Sequence, residues 1–71
     1  MVEVESQITG SVFRIEKSVG DTVSADDVLV ILESMKMEIP VEAPCAGRVA
    51  EVRVAEGDHI DEGHVLMVID G

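Results

Sequence analysis

Tryptophan and tyrosine are missing from this 71-residue chain, and Phe13 is its only phenylalanine. Proteins that grip single-stranded nucleic acid stack bases on aromatic rings, and here there is almost nothing to stack on. Cationic residues are scarce as well: five Lys and Arg stand against 15 Asp and Glu, for a formal charge of −10. A surface of that sign repels phosphate backbones and anionic lipid, so neither nucleic acid nor membrane is an expected partner. Cys45 has no second cysteine to pair with, which excludes an internal disulfide and suits a reducing compartment, the cytoplasm. No apolar run approaches the ~20 residues of a spanning helix. The acidic start, residues 1–5, lacks the apolar stretch of a secretory leader. There is no Ser-His-Asp set, phosphate loop or cysteine pair, so the chain is not read as an enzyme by itself.

What the chain has is aliphatic. Hydrophobic residues make up 46% of it, most of them Val, Ile, Leu and Ala, and their spacing follows no helical period. That composition favours strands, and the length fits one domain over residues 1–71, small enough to be marginal unless well packed. Residues 2–6 alternate Val with Glu, the mark of a strand with one wet face. A second alternating run opens at Gly10, with Val12, Phe13 and Ile15 apolar and Arg14 and Glu16 outward. Gly20 and Asp21 signal a turn; Thr22 and Val23 form a very short strand, and residues 24–27 a polar loop. The apolar run 28–32 is too short for a helix and reads as a strand with little exposed face. Residues 37–42 are extended, with Pro40 restricting them to an edge or an irregular position, and residues 43–47 bend. A strand follows to about Val54, then a turn at Gly57 and Asp58, a short strand at His59 and Ile60, and a closing strand over 65–69.

The second half repeats the first. A shift of 37 places Val4 on Val41, Glu5 on Glu42, Gly10 on Gly47, Val12 on Val49, Gly20 and Asp21 on Gly57 and Asp58, and Val28 and Leu29 on Val65 and Leu66, without a gap. Those are eight identities in the 32 pairs that carry residues 2–33 onto 39–70. The turn glycines match because the backbone there needs a positive φ. Two copies of a four-strand unit, neither able to cover its own apolar face, imply an all-β fold. The expected form is a flattened eight-stranded barrel or sandwich with quasi-two-fold symmetry.

One stretch has no counterpart. Residues 33–38, Glu-Ser-Met-Lys-Met-Glu, fall at the joint between the copies and place Lys36 on the tip of a hairpin. An ordinary lysine amine is protonated at neutral pH, so acylating it requires a base and an activated acyl group. This chain offers no such base, which points to a separate modifying enzyme. A plain solvated turn lysine is the simpler reading of Lys36 alone; the midpoint position, the repeat and the two Met neighbours count against it.

With these features the sequence resembles the biotinyl/lipoyl-attachment domains, and most closely the small stand-alone biotin carboxyl carrier-like proteins. The resemblance covers essentially the whole chain: Met35-Lys36-Met37, the acidic Glu33 three before the lysine, Pro44 and Gly47 in the bend, and the Gly-Asp turns of both halves. It implies a barrel-sandwich hybrid of two four-stranded antiparallel sheets. It further implies that a biotin protein ligase attaches biotin to Lys36, with Glu33 contacting the ligase and Met35 and Met37 flanking the tether. The carrier would move carboxyl between the biotin carboxylase and carboxyltransferase sites of an acyl-CoA or related carboxylase. Ser34 stands where Ala is commoner, a small-for-small change expected to be tolerated. Residues 24–27 leave no room for the thumb-like insertion of some carriers. Two alternatives stay open: a lipoyl carrier for an acyl-transfer complex, although lipoyl domains usually have Asp-Lys-Ala at the hairpin, and an unmodified β interaction module.

Other residues have simpler readings. His59 and His64, with Asp58, Asp61 and Glu62 nearby, fit no helix face and read as solvated loop residues rather than metal ligands. Cys45 follows a proline and aligns with Ile8, so it reads as a small buried hydrophobe; no basic neighbour activates its thiol. Met67 aligns with Val30 and belongs to the core.

Overall fold

A computed structural model describes residues 1–71. Its elements are β1 (Val2–Glu5), β2 (Gly10–Ile15), β3 (Thr22–Val23), β4 (Val28–Ser34), β5 (Met37–Glu42), β6 (Gly47–Val52), β7 (His59–Ile60) and β8 (Val65–Asp70). Every pairing is antiparallel. The strands form two four-stranded sheets, ordered β1-β8-β6-β3 and β5-β4-β2-β7. No helix is long and apolar enough to cross a membrane.

The internal repeat maps one sheet onto the other. A shift of 37 residues turns β1 to β4 into β5 to β8, and the second strand order is the first with those labels exchanged. Each half therefore gives two strands to each sheet. Neither half encloses a core alone, so the two copies must fold as one. Equivalent residues meet in the middle: Val12 and Val49, Val23 and Ile60, Leu29 and Leu66, Leu32 and Ile69 are all buried. Each such side chain contributes roughly 1.5–3 kcal/mol by leaving water. Pro40 lies on β5, which is an edge strand, as its missing N–H demands.

Bulges decide which residues face inward, and they come in equivalent pairs. The β4–β5 register passes from Val28↔Glu42 to Val30↔Val41, and the β1–β8 register from Val4↔Met67 to Glu5↔Val65. Leu29 and Leu66 are the extra residues, and both are fully buried beside buried neighbours. A bulge breaks the period of two, which is how the continuous run 28–32 puts consecutive side chains into the core. A second pair, in β2 and β6, skips Phe13 and Ala50. Here the extra residue turns outward, and Phe13 is 44% exposed with the Arg14 guanidinium 5.9 Å from its ring centroid. Alternation fails at the bulge, so the apolar Phe13 lies outside the core. β6 also ends at Val52 rather than Val54, although Val54 remains buried and the Arg53 N–H reaches the Leu66 carbonyl at 2.9 Å.

Aspartates lock the turns. The carboxylates of Asp21, Asp27 and Asp58 accept hydrogen bonds from the backbone N–H of Ser18, Ser24 and Ala55 at 2.8, 2.8 and 2.9 Å. At the fourth equivalent place, three residues after Asp61, stands His64. Gly20 and Gly57 have the positive φ expected of them, 93° each. Asp26 has φ 74° and its repeat partner Gly63 φ 90°. Their N–H groups donate to equivalent carbonyls, of Ala43 at 2.9 Å and of Ser6 at 2.8 Å. A side chain in this left-handed conformation is disfavoured, less so for Asp than for most. Asp26→Gly should therefore stabilise the fold by roughly 0.5 kcal/mol after the larger unfolded-state entropy of glycine is subtracted. A rise of ~2–4 °C in the thermal midpoint would register it; a fall would refute the strain argument.

Candidate functional site

The chain between β4 and β5 reverses in two residues. The β4–β5 register runs from Val28↔Glu42 to Ser34↔Met37, so only Met35 and Lys36 lie outside it. Both have left-handed backbones, with φ 53° and 65°. A two-residue hairpin whose twist matches its strands needs positive φ at both loop positions, which is why Asn-Gly is the usual sequence there. Met and Lys in those positions carry a penalty of roughly 1–2 kcal/mol each. The paired strands on either side impose it. In return the loop cannot fold its side chains back over the sheet: Lys36 is exposed, Met35 is 91% exposed and Met37 60%.

Lys36 takes part in none of the chain's ion pairs. Its amine is an unpaired, solvated nucleophile precursor on a short, sterically defined loop. No concavity surrounds it. The molecule's one cavity, about 270 Å³, lies between the edges of β1 and β5 and is floored by Val4 and Val41. Glu42, one of its lining residues, is five positions along β5 from Met37, a run of roughly 17 Å.

Glu33 and Glu38 lie directly opposite each other at the base of the hairpin, and both are exposed, whereas in the neighbouring pair Leu32 is buried in the core and Ile39 is half-buried. Like charges in such a cross-strand pair repel, at a cost of some tenths of a kcal/mol. The loop carrying Met35 and Lys36 thus rises from a negative base. Sequence reasoning selected Glu33 and passed over Glu38; the two-residue loop, once known, makes them partners, because it pairs positions symmetric about Met35 and Lys36.

Ser34 was also missed as a contact. It is half-buried, and its hydroxyl donates to the Thr9 carbonyl at 3.0 Å, so it is more than a small filler. The remaining candidates lie elsewhere. Lys17, the only other lysine, is half-buried just past β2, where its repeat partner Val54 is buried. His59 and Asp61 are exposed with Nε2 and Oδ1 3.8 Å apart. Cys45 is half-buried and packs against the core. Met67 is fully buried.

The profile of a family described as "Biotin-requiring enzyme" matches residues 1–69. A biotinylated protein TB7.3 homolog of Mycobacterium leprae is 49% identical over 67 residues, covering 94% of each chain. A biotin/lipoyl attachment protein of Bacillus subtilis is 42% identical over 64 residues, covering 90% of this chain and 88% of that one. Among solved structures, the urea carboxylase of Kluyveromyces lactis superposes with a TM-score of 0.92 at 33% identity. That match covers 97% of this chain but only 6% of the carboxylase chain.

Proposed function

This chain belongs to the family of biotin-requiring attachment domains, and on that premise we propose that it is a biotin carrier whose attachment point is Lys36. The exposed, unpaired amine on a two-residue loop is the observation that carries the assignment. It fits covalent attachment on three counts: the amine is reachable, no carboxylate holds it, and the backbone behind it is fixed by strand pairing. When bound, biotin supplies a group that takes up and releases carboxyl.

Everything else asked of the chain is mechanical and electrostatic. Met35 and Met37 flank the tether with polarizable, adaptable surface, and Glu33, beside Glu38, offers a modifying ligase a negative landmark. Forming the amide removes the ammonium charge of Lys36, so the formal charge of −10 becomes −11, and cationic or neutral enzyme surfaces are the complementary ones. The tethered arm keeps its cargo at high effective concentration near two successive sites on other subunits, a biotin carboxylase and a carboxyltransferase. The chain itself performs no chemistry in this scheme; residues 1–71 serve as one carrier domain in the cytoplasm.

Intact mass spectrometry tests the assignment. After incubation with a biotin protein ligase, ATP and biotin, one biotin adduct per chain is expected; with a lipoyl ligase and lipoate, none. A lipoyl adduct in place of the biotin adduct would make the chain a lipoyl carrier. No adduct from either enzyme would leave the unmodified β module as the correct reading.

A further inference from the structure

The repeat leaves two free sheet edges side by side, and proline protects only one of them. β1 pairs with β8 alone and β5 with β4 alone, so each strand has an outer edge with no ladder partner. The groove between those edges is the cavity of about 270 Å³ floored by Val4 and Val41 and lined also by Glu5 and Glu42. A shift of 37 carries the first member of each pair onto the second, so the groove lies on the quasi-two-fold axis.

The same shift carries Glu3 onto Pro40 and Gln7 onto Pro44. Both prolines of the chain therefore fall on the β5 side, Pro40 within the strand and Pro44 against the groove. They remove backbone donors, a common protection of an edge. The β1 side has none. Pro40 keeps its place opposite Ile31 without an N–H, so a residue at that position turns its amide nitrogen away from the paired strand. Glu3 occupies the equivalent position opposite Val68. Its N–H accordingly points to the free side of β1, a spare donor on an edge able to accept another strand.

Charge selects the occupant. Glu3, Glu5 and Glu42 line the groove, and no cationic residue does. Glu5 and Glu42 belong to no ion pair, and Glu3 meets only Arg53, at 3.8 Å with both side chains about half exposed. The carboxylates are strung along the edges and form no group that could hold a metal ion. A second copy of β1 would bring like charges together, which is destabilising. We propose that the β1 edge binds an extended basic segment of a partner protein, in which Lys or Arg alternates with small apolar residues. The segment adds a fifth strand to the sheet, its apolar side chains over Val4 and Val41 and its cations within reach of Glu5 and Glu42. Glu42 is five positions along β5 from Met37, roughly 17 Å, so a partner can hold the domain at the groove while Lys36 stays free.

The test titrates the isotope-labelled chain with an acetylated and amidated Lys-Val-Lys-Val-Lys-Val peptide, followed by NMR. Amide shifts should concentrate at residues 2–5 and 41–44, and hydrogen exchange at the Glu3 amide should slow about tenfold. The double variant Glu5→Gln, Glu42→Gln should bind about fivefold more weakly, as the loss of two exposed ion pairs requires. Glu3→Pro, which copies the other half of the repeat, should bind about tenfold more weakly for want of one hydrogen bond. A Glu-Val-Glu-Val-Glu-Val peptide should not bind. The proposal is overturned by the absence of localised shifts at about 1 mM peptide, by unchanged exchange at Glu3, or by equal affinity for the acidic peptide. Shifts of residues 2–5 that grow with the concentration of the free chain would overturn it too, by making a second copy the occupant. Biotin uptake enters none of these readouts, so they stand apart from the assignment of Lys36.

Discussion

Lys36→Arg should take up no biotin under conditions that fully convert the wild-type chain, and its fold should be unaffected. Arginine keeps the positive charge and the exposure of lysine and reaches at least as far. Its guanidinium cannot be deprotonated in a protein, so no free amine exists to attack an activated acyl group. The loss should therefore be complete to the limit of detection, at least ~100-fold in rate, because the guanidinium stays protonated and offers no nucleophilic nitrogen. Lys17 should not substitute. It is half-buried in the place where the other half of the repeat buries Val54, and no two-residue loop presents it. Intact mass followed by peptide mapping reads both points at once. An adduct persisting in the arginine variant would move the site to Lys17 and undo the account of the hairpin.

Gly10→Ala should be strongly destabilising, although it adds a single methyl group. The left-handed backbone that excuses most turn glycines is not the reason, since Gly10 is absent from the positive-φ residues. The reason is space. The new Cβ would lie 2.5 Å from the backbone oxygen of Glu33, which cannot move without separating β2 from β4. Overpacking of that kind costs up to about 3 kcal/mol, a large share of the 5–15 kcal/mol that holds a small domain together. The thermal midpoint should fall by about 15 °C, and the urea midpoint should fall with it. Glycines with positive φ behave differently: a Cβ at Gly20, Gly57 or Gly63 would meet nothing within 4 Å, so only backbone preference opposes substitution there. A Gly10→Ala variant within ~0.5 kcal/mol of wild type would show that the β2–β4 corner yields more easily than this close approach allows.

The two expected results bear on one corner of the molecule. Gly10 lets the start of β2 approach Glu33 and Ser34, and those residues are the foot of the loop that carries Lys36. The amine is therefore held not by its own turn, which is conformationally disfavoured, but by a sheet whose duplicated partner shows the same corner at Gly47 and Asp70. A fold that fixes a strained loop at its base can present a long, mobile arm without the loop itself relaxing.

Much of this was legible before any coordinates. The shift of 37 residues disclosed the doubling, turn residues and period-two alternation marked the eight strands, and the unmatched joint between copies singled out Lys36 with Met35, Met37 and Glu33. These are properties of local pattern and self-similarity, which a linear sequence carries in full. The tertiary structure alone decided that the halves exchange strands between sheets, that bulges bury Leu29 while expelling Phe13, that Glu38 faces Glu33, and that the Ser34 hydroxyl reaches Thr9. Each depends on which backbone groups pair across the sheets. A single skipped residue reverses the face of a side chain, so register, not composition, settles them.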